Sequence, residues 1–222
     1  MSNSQFSNLV IAIDGPAGAG KSTVARLLSD RLSIPLLDTG AMYRAVALMA
    51  SREGLSVDQP EELVALASRL RIEFPSESPL DVHADGENIS SDIRSIEIGE
   101  LASQISVLPD LRKVLVAAQQ AIVAKGGRIL EGRDVTTVVA PDADLKIFLT
   151  ASIEERARRR WLEIRERGET TSLQQVVKDV VIRDTGHYTR PDGTLMLAED
   201  AHIIESYGIT PEQVVDRIVA LL

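Results

Sequence analysis

Residues 15–23 read Gly15-Pro16-Ala17-Gly18-Ala19-Gly20-Lys21-Ser22-Thr23 and fit the pattern Gly-x-x-x-x-Gly-Lys-Ser/Thr. An apolar run at 9–14 precedes them and a helical stretch at 21–32 follows. In that setting the glycines let successive backbone N–H groups turn inward as an anion nest, and the helix adds the positive end of its dipole. Lys21 can reach the β- and γ-phosphates of a nucleoside triphosphate, and Ser22 carries the hydroxyl that ligates Mg²⁺ in such loops. The motif predicts nucleoside triphosphate binding and leaves the use of the nucleotide open.

Working outward, further apolar runs at 35–38, 128–131, 145–150 and 202–205 are continuous rather than alternating, as in strands buried on both faces. Helical patterns at 40–53, 110–124, 153–167, 173–184 and 212–221 separate them. Alternating strands and helices predict an α/β fold: a P-loop NTPase-type five-stranded parallel sheet flanked by helices, with right-handed crossovers. The rhythm breaks at 60–100. Short strands are expected there at 71–74, 80–84 and 88–90, with Asp85-Gly86 as a type I′ hairpin signal. That stretch reads as a small inserted antiparallel β subdomain.

With 222 residues, 44% hydrophobic and 26% charged, the chain is long enough for a substantial core and is not a disordered composition. Zero cysteines exclude a disulfide framework, a thiolate metal site and a cysteine nucleophile. No apolar run is long enough to span a bilayer, and residues 1–15 lack a basic segment and cleavage site, so a cytoplasmic protein is expected, with no membrane partner. A net charge of -9 argues against a nucleic-acid partner. Residues 52–100 hold twelve acidic and four basic residues, nearly the whole imbalance, and read as a solvated face. Residues 156–167 hold six arginines against Glu163 and Glu166, which suits a small polyanion nearby.

Ligands in open α/β sheets sit beyond the carboxyl ends of the strands. Here those ends carry Asp14, then Asp38-Thr39-Gly40 with Tyr43-Arg44, then Gly132-Arg133-Asp134. Alone, Asp38 reads as a helix cap and Arg44 as a surface arginine. Their convergence with Arg133 on one sheet edge points to a second anion. A switch GTPase would carry Asn-Lys-x-Asp, which is absent. A motor ATPase would carry a hydrophobic strand ending in Asp before a Glu, where this chain has Glu131-Gly132-Arg133-Asp134.

DGPAGAGKST at 14–23, LLDTGAMYRA at 36–45, ASQIS at 102–106, LRKVL at 111–115, EGRD at 131–134 and KIFLTASIEERARRR at 146–160 together resemble bacterial cytidylate kinases. The resemblance implies the nucleoside monophosphate kinase fold, with 60–100 as the acceptor-binding subdomain and 156–170 as an arginine-rich lid on a single domain spanning 1–222. It implies transfer of the ATP γ-phosphoryl to CMP or dCMP in pyrimidine nucleotide metabolism, with Mg²⁺, by a monomer. Residues 15–23 would hold ATP, Lys21, Arg44, Arg133, Arg156 and Arg159 would be catalytic, and Ser22 would hold the metal. Thr39, Tyr43, Arg44, Ser103, Arg112, Arg133, Asp134, Arg183 and Arg190 would hold CMP. Asp134 suits the cytosine N4 donor, and Arg112 and Ser103 suit N3 and O2. Another acceptor on the same fold, such as UMP or shikimate, or an ATPase without an acceptor, are the alternatives. Two departures stand out. The family's Gly-Arg-Asp-x-Gly-Thr appears with Thr136 in place of glycine, and the acid expected at the ribose is His187.

Overall fold

The computed structural model describes residues 6–75, 81–166, 168, 170–188 and 194–222, excluding the side chains at 183, 187 and 188. Its main sheet is built from β1 (Val10–Asp14), β2 (Leu36–Asp38), β6 (Arg128–Glu131), β7 (Leu145–Thr150) and β8 (His202–Glu205). The order is β2-β6-β1-β7-β8, and every pairing is parallel. Side chains alternate across a strand, and β1 uses both faces. Ala12 joins Leu37 and Leu130 on one side, while Ile11 and Ile13 join Ile129, Ile147 and Leu149 on the other. Because both faces are covered, the strand sequence shows no polar alternation.

The second face is closed by α1 (Lys21–Leu32) and α8 (Pro211–Val219), through Val24, Leu28, Val214 and Ile218. The first is closed by α2 (Thr39–Arg52), α3 (Pro60–Arg69), α4 (Ile96–Ile105) and α5 (Pro109–Val123). The helix α3 was not expected. Pro60 opens it where a missing N–H is harmless, Glu61 and Glu62 sit in its first turn, and Leu63, Leu66 and Ala67 are buried. The helix α4 was not expected either; the Ser95 hydroxyl caps it by accepting from the Ile98 amide at 3.2 Å.

Between them, β3 (Ile72–Glu73), β4 (His83–Ala84) and β5 (Glu87–Asn88) form an antiparallel three-stranded sheet. Asp85 and Gly86 have φ of 48° and 86°, the left-handed pair a type I′ turn requires. The strands are shorter than the sequence suggests, and 76–80 lie outside the described residues. Val82, Ile89, Ile93 and Ile98 pack into the same cluster as Leu37 and Leu130, so 60–100 shares the main core. Arg52 of α2 grips the outer acids, with Glu87 at 2.8 Å and Asp92 at 2.9 Å.

The arginine-rich segment is the helix α6 (Ile153–Glu166), packed on α7 (Leu173–Tyr188) through Ala157, Val176 and Val180. Trp161 donates from Nε1 to the Thr171 carbonyl at 3.0 Å, under the Arg165 guanidinium. Among the described residues no helix is long and apolar enough to cross a membrane.

Candidate functional site

A parallel sheet delivers its strand ends to one edge, and loops leaving that edge enclose a cavity of about 620 Å³. Its wall runs from the phosphate loop through Asp38, Thr39, Tyr43, Arg44, Ser103 and Arg112 to Gly132-Arg133-Asp134, and on to α6 and α7.

The phosphate loop is held from outside. A Cβ on Gly15 would lie 2.0 Å from the Leu149 carbonyl oxygen, so β7 leaves room only for glycine. When N–H groups turn inward, carbonyls turn outward, and here cations meet them. Arg133 Nη1 donates to the Gly15 oxygen at 2.8 Å and Lys21 Nζ to Pro16 at 3.1 Å. Arg156 Nη1 donates to Ala17 at 3.0 Å and Arg159 Nη1 to Ala19 at 3.3 Å. Burial, together with the Arg133 charge, pulls the Lys21 ammonium down to about 7, so nucleotide phosphates would restore its proton.

Arg156 is buried. Its guanidinium also donates to the Ala151 carbonyl at 3.0 Å and pairs with Asp184 at 2.6 Å. Arg159 donates to Ser206 Oγ at 2.9 Å and to the Ser206 carbonyl at 2.8 Å. Neither lines the cavity, whereas Arg160, one turn beyond Arg156, does.

Two carboxylates, Glu131 and Asp38, share the cavity wall with Ser22. Its hydroxyl donates to Glu131 Oε1 at 2.5 Å. The Asp38 carboxylate caps α2 by accepting from the Ala41 amide at 2.9 Å. Burial, and then the neighbouring Glu131 charge, push Asp38 up to about 6. Two carboxylates crowded beside a hydroxyl, at the phosphate end of the cavity, fit a hard divalent cation such as Mg²⁺.

Across the cavity, Arg44 donates to the Ile93 carbonyl at 2.8 Å, and Gly99 of α4 makes room for it: a Cβ there would lie 2.9 Å from Arg44 Nη1. Thr39 Oγ1 donates to the Glu131 carbonyl at 2.7 Å, fastening α2 to the end of β6. Arg112 and Asp134 form a buried ion pair through Nη2 and Oδ2, and Arg112 Nη1 donates to the Tyr43 hydroxyl at 3.4 Å. The carboxylate keeps a second oxygen, and the guanidinium further N–H groups, beyond the pair.

The expected residues therefore fall into groups. Ala17, Gly18, Gly20, Lys21, Ser22 and Thr23 line the cavity together with Thr39, Tyr43, Arg44, Ser103, Arg112, Arg133 and Asp134. Gly15, Pro16 and Ala19 lie behind that wall. The Arg183 and His187 side chains, and all of Arg190, lie outside the described residues. Glu131, Gly99 and Arg160 were not foreseen. Glu131 was quoted only as a strand end, Gly99 is a lone helix glycine, and Arg160 is one of six close arginines.

A model of the cytidylate kinase family matches residues 11–222. The chain belongs to that family. The cytidylate kinase of Pelotomaculum thermopropionicum is 49% identical over 213 residues, covering 95% of this chain and 94% of that protein. The cytidylate kinase of Geobacter sulfurreducens is 45% identical over 215 residues, with 96% and 92% covered. Among solved structures, shikimate kinase from Bacteroides thetaiotaomicron superposes with a TM-score of 0.50 at 12% identity, covering 96% of this chain and 97% of that one. That likeness shows the shared kinase fold alone. Family membership makes this chain a phosphotransferase.

Proposed function

We propose that this protein transfers the γ-phosphoryl group of ATP to CMP, giving CDP and ADP, and that dCMP is a second acceptor. The observation that carries the reading is one cavity with a phosphate loop at one end and the buried Arg112–Asp134 pair at the other, with Arg44 and Arg133 between them. Phosphates bind at the loop and at the two arginines. Asp134 accepts from the cytosine N4 amino group, while Arg112 and Ser103 donate to N3 and O2. Arg183 and Arg190 are assigned to the sugar and phosphate from sequence.

The acceptor phosphate has a second pKa of about 6, so at neutral pH its oxygen needs no general base. That oxygen forms a bond to the γ-phosphorus while the bond to the bridging oxygen breaks and ADP leaves. Catalysis is then positioning plus charge stabilisation by Lys21, Arg44 and Arg133. Arg156 and Arg159 support it by fixing the loop carbonyls. Ser22, with Glu131 and Asp38 nearby, would hold Mg²⁺, which supplies Lewis-acid charge neutralisation on the triphosphate when bound. A lid at 156–170, as the family resemblance implies, would exclude water that would otherwise consume ATP. A monomeric, cytoplasmic enzyme of pyrimidine nucleotide metabolism fits this chemistry.

The test is product analysis with ATP labelled at the γ-phosphorus. Labelled CDP from CMP is expected. A histidine at 187, where the family resemblance leads one to expect an acid, predicts that dCMP follows within about tenfold in kcat/KM. Labelled inorganic phosphate without CDP would contradict the reading.

A further inference from the structure

The geometry points to Thr136 as a positioning residue for the acceptor arm Arg133–Asp134. Asp14 ends β1 just before the phosphate loop, and it is fully buried. Its carboxylate accepts from the Val135 amide at 3.0 Å, the Thr136 amide at 2.8 Å and the Thr136 hydroxyl at 2.6 Å. Arg133 closes the same junction from the other side, through its bond to the Gly15 carbonyl at 2.8 Å. Two consecutive residues of the donor side are thus clamped to residues 133–136 of the acceptor side. Burial pushes the Asp14 carboxyl up, and the bonds from Thr136 and Val135 work against that cost. The donors come from the start of a single π-helical turn, Val135–Val139, where the first N–H groups have no partner within the turn and are free to meet the carboxylate.

The hydroxyl is the part of this clamp that a valine or a glycine at 136 could not supply. Losing it leaves a buried carboxylate short of a donor, and the loop carrying Asp134 must shift to compensate. Besides its bond from Arg133, the phosphate loop keeps fastenings that do not pass through the acceptor arm, namely Leu149 packing and the bonds from Arg156 and Arg159. The defect should therefore fall on the acceptor. The inference rests on CMP being that acceptor.

The experiment measures KM for CMP and for ATP separately in wild type, Thr136→Val, Thr136→Ser and Thr136→Gly, with thermal unfolding as a folding control. Thr136→Val should raise KM for CMP roughly three- to tenfold and leave KM for ATP within about twofold. Thr136→Ser, which keeps the hydroxyl, should stay within about twofold of wild type for both. If Thr136→Val does not fold, Thr136→Gly keeps the amide donor and is held to the same criteria. An unchanged KM for CMP, an equal rise in both constants, or a serine variant as impaired as valine would overturn the role. Wild-type protein that forms no CDP would instead overturn the functional reading itself.

Discussion

Lys21 is held ready for phosphate by a weak, replaceable bond to the Pro16 carbonyl, in a setting that disfavours its charge. Bound phosphates would raise its pKa well above the free-protein value of about 7. The sign follows from linkage. The charged contact is fully available below about 7, and nucleotide affinity declines as pH climbs from there toward the bound-state pKa. At a pH near ~8, where a side chain of pKa ~7 is mostly neutral, nucleotide binding should therefore take up most of a proton. Calorimetry in buffers of different ionisation enthalpy reads this directly. The uptake should disappear in Lys21→Ala, and a wild-type binding enthalpy independent of buffer would contradict the assignment. The motif made Lys21 legible in the sequence, and Arg133 and Asp134 followed from their place at a strand end. Gly99 and Thr136 were not legible as parts of the site. Their contributions, a space for Arg44 and a bond to Asp14, arise only when distant segments meet.

Elements explain how the loop keeps its shape. The helix α6 sends Arg156 and Arg159 to two outward carbonyls of the phosphate loop, while the segment after β8 adds Ser206, whose hydroxyl donates to Ala19 at 3.1 Å. Arg156 also carries the buried charge of Asp184 on α7. Removing one partner of a buried pair costs about 3–5 kcal/mol. Arg156→Gln should lose stability on that scale in denaturant titration, and in the folded fraction KM for ATP should rise more than KM for CMP. A variant of wild-type stability and unchanged KM for ATP would show that this strut is dispensable. The strands of the main sheet and most helices could be read from sequence within a residue or two, because their burial on one or both faces leaves a periodic trace. The helix α4 was hidden by its isoleucines and interior glycine, which local propensity disfavours and packing against α2 overrides. The π turn has no sequence signature, since it answers to Asp14.

At the scale of the whole molecule, a sheet covered on both faces brings Asp14, Asp38 and Glu131 to its carboxyl edge, and that edge joins the two halves of the cavity. The described residues of segment 60–100 share the main core, so the proposed acceptor side rests on the same scaffold as the phosphate loop. In the proposed reaction this scaffold aims Asp134 at the amino group of cytosine. Uracil would present an acceptor there, and two facing acceptors in a desolvated pocket carry a penalty of roughly 1–3 kcal/mol per group. Asparagine at 134 could donate to that uracil oxygen. It would also remove the charge paired with buried Arg112, so overall stability and rate should fall, and the informative quantity is a ratio. That ratio is kcat/KM for CMP over kcat/KM for UMP, measured with ATP by ADP release in wild type and Asp134→Asn. A wild-type ratio of at least roughly tenfold is expected, and it should narrow or invert in the variant. A wild type indifferent to the base, or a ratio untouched by the substitution, would contradict it.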